Sequence, residues 1–383
     1  MTTGTFIIEV AMWREALLQR FGGGGFAGIT LSRWLRVLRD NHFAVDRPYW
    51  VKAAMITLAS IPNTLLGAWE NLWYRRKVRD TKIDPPLFIL GIWRSGTTHL
   101  HNLLSQDNRL AFPNTYQACY PNSFLSSEAM NARIVDFLLP KRRPMDNVTM
   151  GVAEPQEDEF AIGTLTGRAF PMAWAFPRHA GFYNRYLTLR DASESEVTEW
   201  KAALMWFVQK VSFKYRKPLV LKSPGHTCRI KRLLELFTEA KFVHIHRNPF
   251  HVFRSTQHLI QSVTPLWALQ RPDYGDLDER MIRQYKEVYE AFFEERGLIP
   301  KARFHEVSFE SLEADPIGEM RRIYEALALP AFQAVEPAIQ RYVESLGGYR
   351  KNAFLEIPFE LKARIAREWR RCFEEWGYST TEA

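Results

Sequence analysis

The chain has 383 residues, of which 46% are hydrophobic and 25% charged, as in an ordinary globular protein. It carries 51 Lys and Arg against 43 Asp and Glu, which gives a net charge of +8, and 14% of its residues are aromatic. These values exclude a disordered, a collagen-like and a disulfide-stapled chain. A basic, aromatic-rich chain favours an anionic ligand, a nucleic acid or a membrane surface as its partner, and composition alone does not choose among them.

The three cysteines are widely spaced, at Cys119, Cys228 and Cys372, and no two form a CxxC pair. This pattern predicts neither a zinc ribbon nor a thioredoxin-like site, and it fits a reduced, cytoplasmic protein. Charged residues interrupt the first 20 positions, so we expect no cleavable signal peptide.

Residues 1–82 are predicted to form a helical N-terminal extension. An amphipathic helix is expected over residues 6–21, and residues 29–38 interleave Arg33 and Arg36 with apolar side chains, as in a basic amphipathic helix. Residues 53–69 are largely apolar with a polar centre, and basic residues follow at 75–79. This segment is compatible with a buried helix, with a helix lying on a membrane surface, or with a transmembrane helix. We therefore expect a cytoplasmic protein with a possible peripheral membrane contact.

Residues 83–383 have the pattern of one α/β domain. Short apolar runs at 87–90, 218–221, 242–245 and 303–307 are predicted strands, and helical periods follow the first three. Long helices are predicted over 194–214, 277–296 and 359–376. The predicted fold is a P-loop-like parallel sheet flanked by helices.

A glycine-bearing loop follows the first predicted strand. Gly91 and Gly96 have the G-x-x-x-x-G spacing of a P-loop, and backbone N–H groups at such a strand-to-helix turn bind phosphate. Thr97 and Thr98 stand where a Walker motif has Lys and Ser or Thr, and Arg94 within the loop supplies the cation. One hypothesis is therefore a nucleotide kinase or NTPase that lacks the Walker lysine, although no strand ends in a Walker-B aspartate.

A second candidate anion site follows the strand at 242–245. Arg247 lies at the carboxyl end of this strand, where open α/β sheets bind ligands. Pro249 is a suitable first residue for the next helix, in which Ser255 lies not quite two turns from the start. Arg247 and Ser255 are therefore expected to meet one phosphate.

Together the two sites resemble those of the PAPS-dependent sulfotransferases, in particular the broad bacterial branch of that family. Residues 94–98 (RSGTT) are similar to its 5′-phosphosulfate loop, and the pair Arg247 and Ser255 is similar to its 3′-phosphate motif. The segments 112–117, 154–160, 221–226 and 305–329 are also similar to that branch, so the resemblance covers roughly residues 85–355.

The resemblance implies transfer of a sulfuryl group from 3′-phosphoadenosine-5′-phosphosulfate (PAPS) to a hydroxyl or amine, with no metal required. It implies that Arg94 contacts the oxygen bridging phosphate and sulfate, and that Arg247 and Ser255 bind the 3′-phosphate. A late loop would close over that phosphate through Arg350 or Lys351, although this loop departs from the family's pattern. The 5′-phosphate would be bound by Ser95, Gly96, Thr97 and Thr98.

Catalytic groups are expected at the end of the second strand. Lys222 ends this strand and, with Arg94, is placed to stabilise charge on the leaving oxygen. His226 is the first candidate for the general base, and Glu157 and Glu159 are its rivals, because the resemblance also admits a carboxylate. The histidine is offset from the family position, which Pro224 occupies.

The acceptor is expected to be a small, apolar molecule or lipid. An aromatic segment containing Phe170, Trp174, Phe176 and Tyr183 either lines the acceptor cavity or belongs to the core. A non-enzymatic membrane or nucleic-acid binder is a third hypothesis. Because no nucleic-acid-binding motif accompanies the charge, no nucleic-acid partner is expected.

Two pairs of histidines are also notable. His99 and His101 follow the phosphate loop, where they could line the acceptor site. His244 and His246 alternate on a predicted strand, but packing is the better interpretation because no third metal ligand is evident.

Overall fold

A sheet of four short parallel strands forms the centre of the described part of the molecule: β1 (Leu87–Leu90), β2 (Val220–Lys222), β3 (Lys241–His246) and β4 (Phe304–Ser308). Their spatial order is β2-β1-β3-β4. The structure is a computed structural model that describes residues 24–140, 142–143, 145–146, 148–347, 352 and 354–381. The predicted α/β fold with a parallel sheet flanked by helices is confirmed.

The central strand β1 is a continuous apolar run because both of its faces are covered. Every residue of β1 is buried. Phe88 and Leu90 belong to one hydrophobic cluster, and Leu87 and Ile89 belong to a second cluster on the other face. The alternation of side chains along a strand therefore divides β1 between two cores.

Helices make up most of the chain. In the N-terminal region lie α1 (Leu31–Asp40) and α2 (Trp50–Arg79). Between β1 and β2 lie α3 (Thr97–Leu104), α4 (Thr115–Cys119), α5 (Phe124–Leu138), α6 (Asp158–Thr166), α7 (Ala180–Thr188) and α8 (Glu194–Tyr215). Between β2 and β4 lie α9 (Ile230–Leu236), α10 (Pro249–Trp267) and α11 (Leu277–Glu295). After β4 come α12 (Phe309–Ala314), α13 (Pro316–Ala326), α14 (Glu336–Ser345), α15 (Phe359–Glu368) and α16 (Arg370–Trp376).

The last helix was expected to run unbroken over residues 359–376. Instead α15 and α16 meet at Trp369, whose φ of −105° and ψ of 17° leave the helical region. Trp369 is buried and stacks on Tyr285 with ring centroids 3.7 Å apart, and its indole N–H donates to the carbonyl of Ile282. Tertiary packing of one aromatic side chain accompanies the break in an otherwise helical pattern.

The N-terminal helices pack on the α/β domain. Trp34, Val37 and Ile56 are buried in the same cluster as Phe88. Arg33 and Arg36 both pair with Glu199 of α8, at 3.0 and 2.5 Å. The basic face expected over residues 29–38 is therefore turned in part toward the protein. The helix expected at residues 6–21 lies outside the described residues, and the division at residue 82 stays a prediction.

The longest helix, α2, contains the whole apolar segment 53–69, including Pro62. By length and composition, residues Arg47–Arg79 are one helix that could cross a membrane. Its centre is not uniformly polar, because Ser60 and Asn63 are buried against the protein whereas Leu58 and Leu65 are exposed.

Candidate active site

The loop after β1 begins with a strained turn that needs glycine. Gly91 and Gly96 have φ values of 145° and 103°, which disfavour residues with a Cβ. A Cβ on Gly96 would also lie 2.3 Å from Cδ2 of Phe309. Ser95 is buried, and its hydroxyl donates to the carbonyl of Ile92 at 2.8 Å. Thr97 then begins α3, so the loop presents the N-terminal N–H groups of a helix, as an anion site requires.

Arg94 crosses from this loop to α10. Its Nε donates to the hydroxyl of Ser255 at 2.7 Å, and its Nη1 pairs with Asp146 at 2.6 Å. Asp146 is buried and also pairs with Arg143 at 3.1 Å. The backbone of Arg94 has a φ of 68°, which is uncommon for a residue other than glycine and is found where the surrounding structure fixes the conformation.

Arg247 joins the same group. Its Nη1 donates to the carbonyl of Arg94 at 3.3 Å, and its guanidinium lies over the ring of Phe309 at 4.3 Å. Pro249 is the first residue of α10, and Ser255 is buried in that helix. The two predicted anion motifs thus adjoin at the carboxyl edge of the sheet. Arg350 and Lys351, the candidates from the late loop, lie outside the described residues.

A run of three carboxylates at the start of α6 pairs with three basic side chains at and just after the end of β2. Each pair is short, between 2.6 and 2.8 Å. The pairs are Glu157 with Lys222, Asp158 with His226, and Glu159 with Arg229. The start of α6 is thereby held against the end of β2 at the sheet edge.

Burial distinguishes the candidate bases. His226 has no exposed side-chain surface, and its Nε2 is within 2.8 Å of Asp158. Glu159 is equally buried and receives two hydrogen bonds from Arg229. Glu157 retains 17% of its side-chain exposure beside Lys222. Of these three, only Glu157 reaches solvent.

Burial lowers the pKa of the Lys222 amine below its ordinary value, and the adjacent Glu157 carboxylate opposes this effect only in part. Lys222 is aligned with Ile89 of β1, the strand that leads into the phosphate loop. This arrangement brings a cation and a partly exposed carboxylate to the edge of the sheet where Arg94 and Arg247 lie.

The remaining sequence candidates are distributed between core and surface. Phe170, Phe176 and Tyr183 belong to the buried core, whereas Trp174 lines a shallow surface cleft with Tyr274 and Met281. His101 is buried, and burial lowers its pKa well below the ordinary value.

The two strand histidines have protein partners. His244 lies 2.7 Å from Glu306, and His246 lies 2.9 Å from the hydroxyl of Tyr378. In the part of the chain that the structure describes, no three His, Cys, Asp or Glu side chains come together as potential metal ligands.

Three of the charged groups at this site were not anticipated from the sequence: Asp146, Asp158 and Arg229. Asp146 lies 52 positions from Arg94 in a segment without helical or strand periodicity, so nothing local connects the two. Asp158 and Arg229 each adjoin a residue that was singled out. The run of acids at 157–159 and the basic residues at 222, 226 and 229 were the available signal.

Comparison with known proteins identifies the class. The family model described as "Sulfotransferase family" matches residues 85–334, and the chain belongs to that family. It is a sulfotransferase, and the kinase or NTPase hypothesis is not favoured.

The chain is 37% identical over 372 residues to "Omega-hydroxy-beta-dihydromenaquinone-9 sulfotransferase Stf3" of Mycobacterium bovis, and equally to the protein of that name from Mycobacterium tuberculosis. The match covers 97% of this chain and 94% of each relative. The fold is similar to those of sulfotransferase STF1 from Mycobacterium tuberculosis H37Rv (TM-score 0.66, 19% identity, 88% of this chain and 91% of that one) and sulfotransferase STF9 from Mycobacterium avium (TM-score 0.65, 16% identity, 90% and 95%).

Proposed function

We propose that the sulfuryl donor is PAPS and that it binds across the phosphate loop and the start of α10. The observation that carries this proposal is the contact between Arg94 and Ser255, at 2.7 Å, with Arg247 on the carbonyl of Arg94. A nucleotide with anionic groups at both its 5′ and 3′ positions requires two anion sites close together, whereas ATP requires one continuous polyphosphate site with Mg²⁺. The residues present fit the first ligand.

Titration calorimetry with adenosine 3′,5′-bisphosphate, the nucleotide product, tests the donor. We expect saturable binding without metal and little binding of ATP with Mg²⁺. Arg247→Ala should weaken binding of the bisphosphate more than binding of adenosine 5′-phosphate, because only the former carries a 3′-phosphate. Preferential binding of ATP with Mg²⁺ would refute the proposal.

The negative charge of the donor would be compensated by cationic side chains at the edge of the sheet. Arg94 and Lys222 would stabilise the negative charge that develops on the bridging oxygen as its bond to sulfur breaks. Asp146 is the present partner of Arg94, so the donor competes with this carboxylate for the guanidinium. No metal is needed for these steps.

We propose Glu157 as the general base. As the acceptor oxygen bonds to sulfur, Glu157 would take the acceptor's proton, and Lys222 would hold the carboxylate in place through the 2.7 Å contact. Its partial exposure supports this role, whereas His226 and Glu159 are both buried and paired.

The acceptor is proposed to be an apolar molecule with a terminal hydroxyl, of the lipid quinone class. The support is the name of the Mycobacterium relatives, which describes an ω-hydroxylated dihydromenaquinone, together with 37% identity over almost the whole chain. Radiolabelled donor incubated with a hydroxylated isoprenoid quinone and with a water-soluble alcohol tests the class. Preference for the water-soluble alcohol in the same assay would contradict it.

An apolar acceptor of this kind resides in a membrane. We therefore propose that the enzyme works in the cytoplasm at a membrane surface, without a nucleic-acid partner. Fractionation of cells into soluble and membrane pools, followed by a salt wash, tests this location. Recovery of all the enzyme in the soluble pool would contradict it.

A further inference from the structure

Helix α2 exposes large apolar side chains to solvent and buries several polar side chains against the protein. Its large apolar residues are exposed at spacings of three, four and seven residues, which places them along one side of the helix. They are Val51, Met55, Leu58, Leu65, Trp69 and Leu72, with exposed fractions between 46% and 76%. At 1.5 Å per residue this apolar stripe is about 30 Å long. Monomeric soluble proteins rarely expose so continuous an apolar row, which marks an interaction surface.

The opposite side of α2 faces the protein and carries most of the buried polar residues of the helix. Asn63 donates to the carbonyls of Ala27 and Ile29 at 2.8 and 3.2 Å, and Lys52 donates to the carbonyl of Leu266. Because these bonds tie the helix along its length to the folded domain, crossing a bilayer would break them and leave polar groups in hydrocarbon. The helix is thus suited to lie on a membrane surface and not to span it.

One further polar contact fixes α2 to α5. Glu70 of α2 is buried with Lys210 and accepts a hydrogen bond from the backbone N–H of Ser126 at 2.8 Å. This contact places the two helices side by side.

Helix α5 extends the apolar surface. Met130, Ile134 and Phe137 recur at spacings of four and three residues, and their side chains are 77%, 62% and 77% exposed. Asp146, which pairs with Arg94 of the phosphate loop, follows α5 in the chain. The chain that leaves α5 therefore contacts the phosphate loop at Asp146, eight residues after the helix ends.

Charge favours a lipid surface as the occupant. The last turns of α2 carry Arg75, Arg76, Lys77 and Arg79, and Asp80 is the acid paired with them, at 3.8 and 3.9 Å from Arg76 and Arg79. Exposed Trp50 lies at one end of the stripe and exposed Trp73 at the other. Tryptophans at the polar–apolar boundary and basic residues near anionic headgroups are features of interfacial helices.

We propose that the outward sides of α2 and α5 form a bilayer-docking surface for anionic phospholipid membranes. The helix α2 lies in the plane of the membrane, and the docked enzyme receives its acceptor from the lipid phase by way of α5. The last part of this proposal rests on the proposed function, whereas docking itself does not.

Flotation of the full-length protein with vesicles tests docking. One set of vesicles is phosphatidylcholine alone, and the other contains phosphatidylglycerol as well. We expect binding to be stronger with the anionic lipid. The triple variant Leu58→Gln/Leu65→Gln/Leu72→Gln should lower the partition coefficient by about 10-fold or more, because it removes apolar surface from the contact. Leu298→Gln is the matched control, since Leu298 is 52% exposed outside this surface.

A second pair of variants tests how much the basic residues contribute to vesicle binding. Arg76→Glu should weaken binding to anionic vesicles and leave binding to phosphatidylcholine nearly unchanged. Arg367→Glu is the control, since Arg367 is 72% exposed and, like Arg76, has a loose contact with an adjacent acid. Equal effects of both variants would overturn the assignment of the basic residues.

Further measurements distinguish a loss of membrane docking from unfolding of the variant and from a dimer interface. Far-UV circular dichroism verifies folding of the triple variant, and Leu72→Gln alone serves if that variant unfolds. Sedimentation equilibrium tests for a second copy of the chain. A dimer that the triple variant dissociates, with no vesicle binding by the parent protein, would overturn the proposal in favour of a dimer interface.

The docking variants should keep full activity on a water-soluble alcohol acceptor while losing activity on the quinone in vesicles. Equal loss on both acceptors would overturn the delivery route. Absence of bisphosphate binding would instead contradict the proposed function and leave the flotation result intact.

Discussion

The Nε of Arg94 donates to the hydroxyl of Ser255 at 2.7 Å, across 161 positions of the sequence. This contact joins the phosphate loop to the helix that follows β3. Two anion motifs that were recognised separately thus share a hydrogen-bonded pair, and Arg247 adds its bond to the carbonyl of Arg94. Any change at Ser255 is therefore expected to affect both parts of the donor site.

Ser255→Ala should raise the Kd for adenosine 3′,5′-bisphosphate by about 10-fold or more. A hydrogen bond to a charged group is worth about 1.5–3 kcal/mol, and the variant removes both the contact with Arg94 and a phosphate ligand. Thr198→Ala, which removes an exposed hydroxyl from the interior of α8, is the control. Calorimetry that gave equal Kd values for the two variants would contradict a role for Ser255 in the donor site.

Glu157→Gln should lower kcat by about 10²–10⁴-fold at neutral pH, with little change in donor affinity. The substitution keeps the shape of the side chain but removes the proton acceptor. The pH–rate profile should also lose its acidic limb, which a merely structural role would not cause. Glu154→Gln, on the same segment, should retain activity. If Glu157→Gln were fully active, the base would have to be sought elsewhere.

The strands and the anion motifs could be predicted because their signals are local. Each strand is a short apolar run, and each motif follows a strand end, where parallel sheets bring ligand groups together. The second strand was predicted to begin two residues and to end one residue too early: the prediction covered 218–221, whereas β2 is Val220–Lys222. Ends of strands depend on pairing with β1, which the sequence of the strand itself does not contain.

Long-range pairing could not be predicted. The contact of Arg94 with Asp146 joins a loop to a segment with no helical or strand periodicity, so no sequence pattern predicts this contact. For residues 53–69 the sequence left a buried helix, a surface-lying helix and a transmembrane helix open, because composition was averaged along the helix. Three-dimensional packing separates the faces: Asn63 bonds to the protein while Leu58 and Leu65 point outward.

Glu159→Gln should destabilise the protein by about 3–5 kcal/mol, because it leaves the buried guanidinium of Arg229 without its counter-ion. The double variant Glu159→Gln/Arg229→Leu should recover part of that loss. Urea denaturation followed by circular dichroism measures both. The control is Glu235→Gln in the more exposed pairs with Lys201 and Arg232, where we expect less than about 1 kcal/mol. Similar losses at both sites would show that Glu159 is not held as a buried ion pair.

Stability should decline as the pH falls from 6.5 toward 4. Burial, with a contribution from the neighbouring His244, lowers the pKa of His246 to about 4, and the ring stacks on Trp376 with centroids 4.8 Å apart. The folded protein keeps this ring neutral, whereas the unfolded chain binds a proton below a pKa of about 6.5. The unfolded state therefore binds more protons in this range, and acid favours it by about 1 kcal/mol or more at pH 5. His246→Phe should flatten this part of the curve, measured as the free energy of unfolding at pH 7 and pH 5. If the variant lost as much stability between these values as the parent protein, titration of His246 would not be the cause.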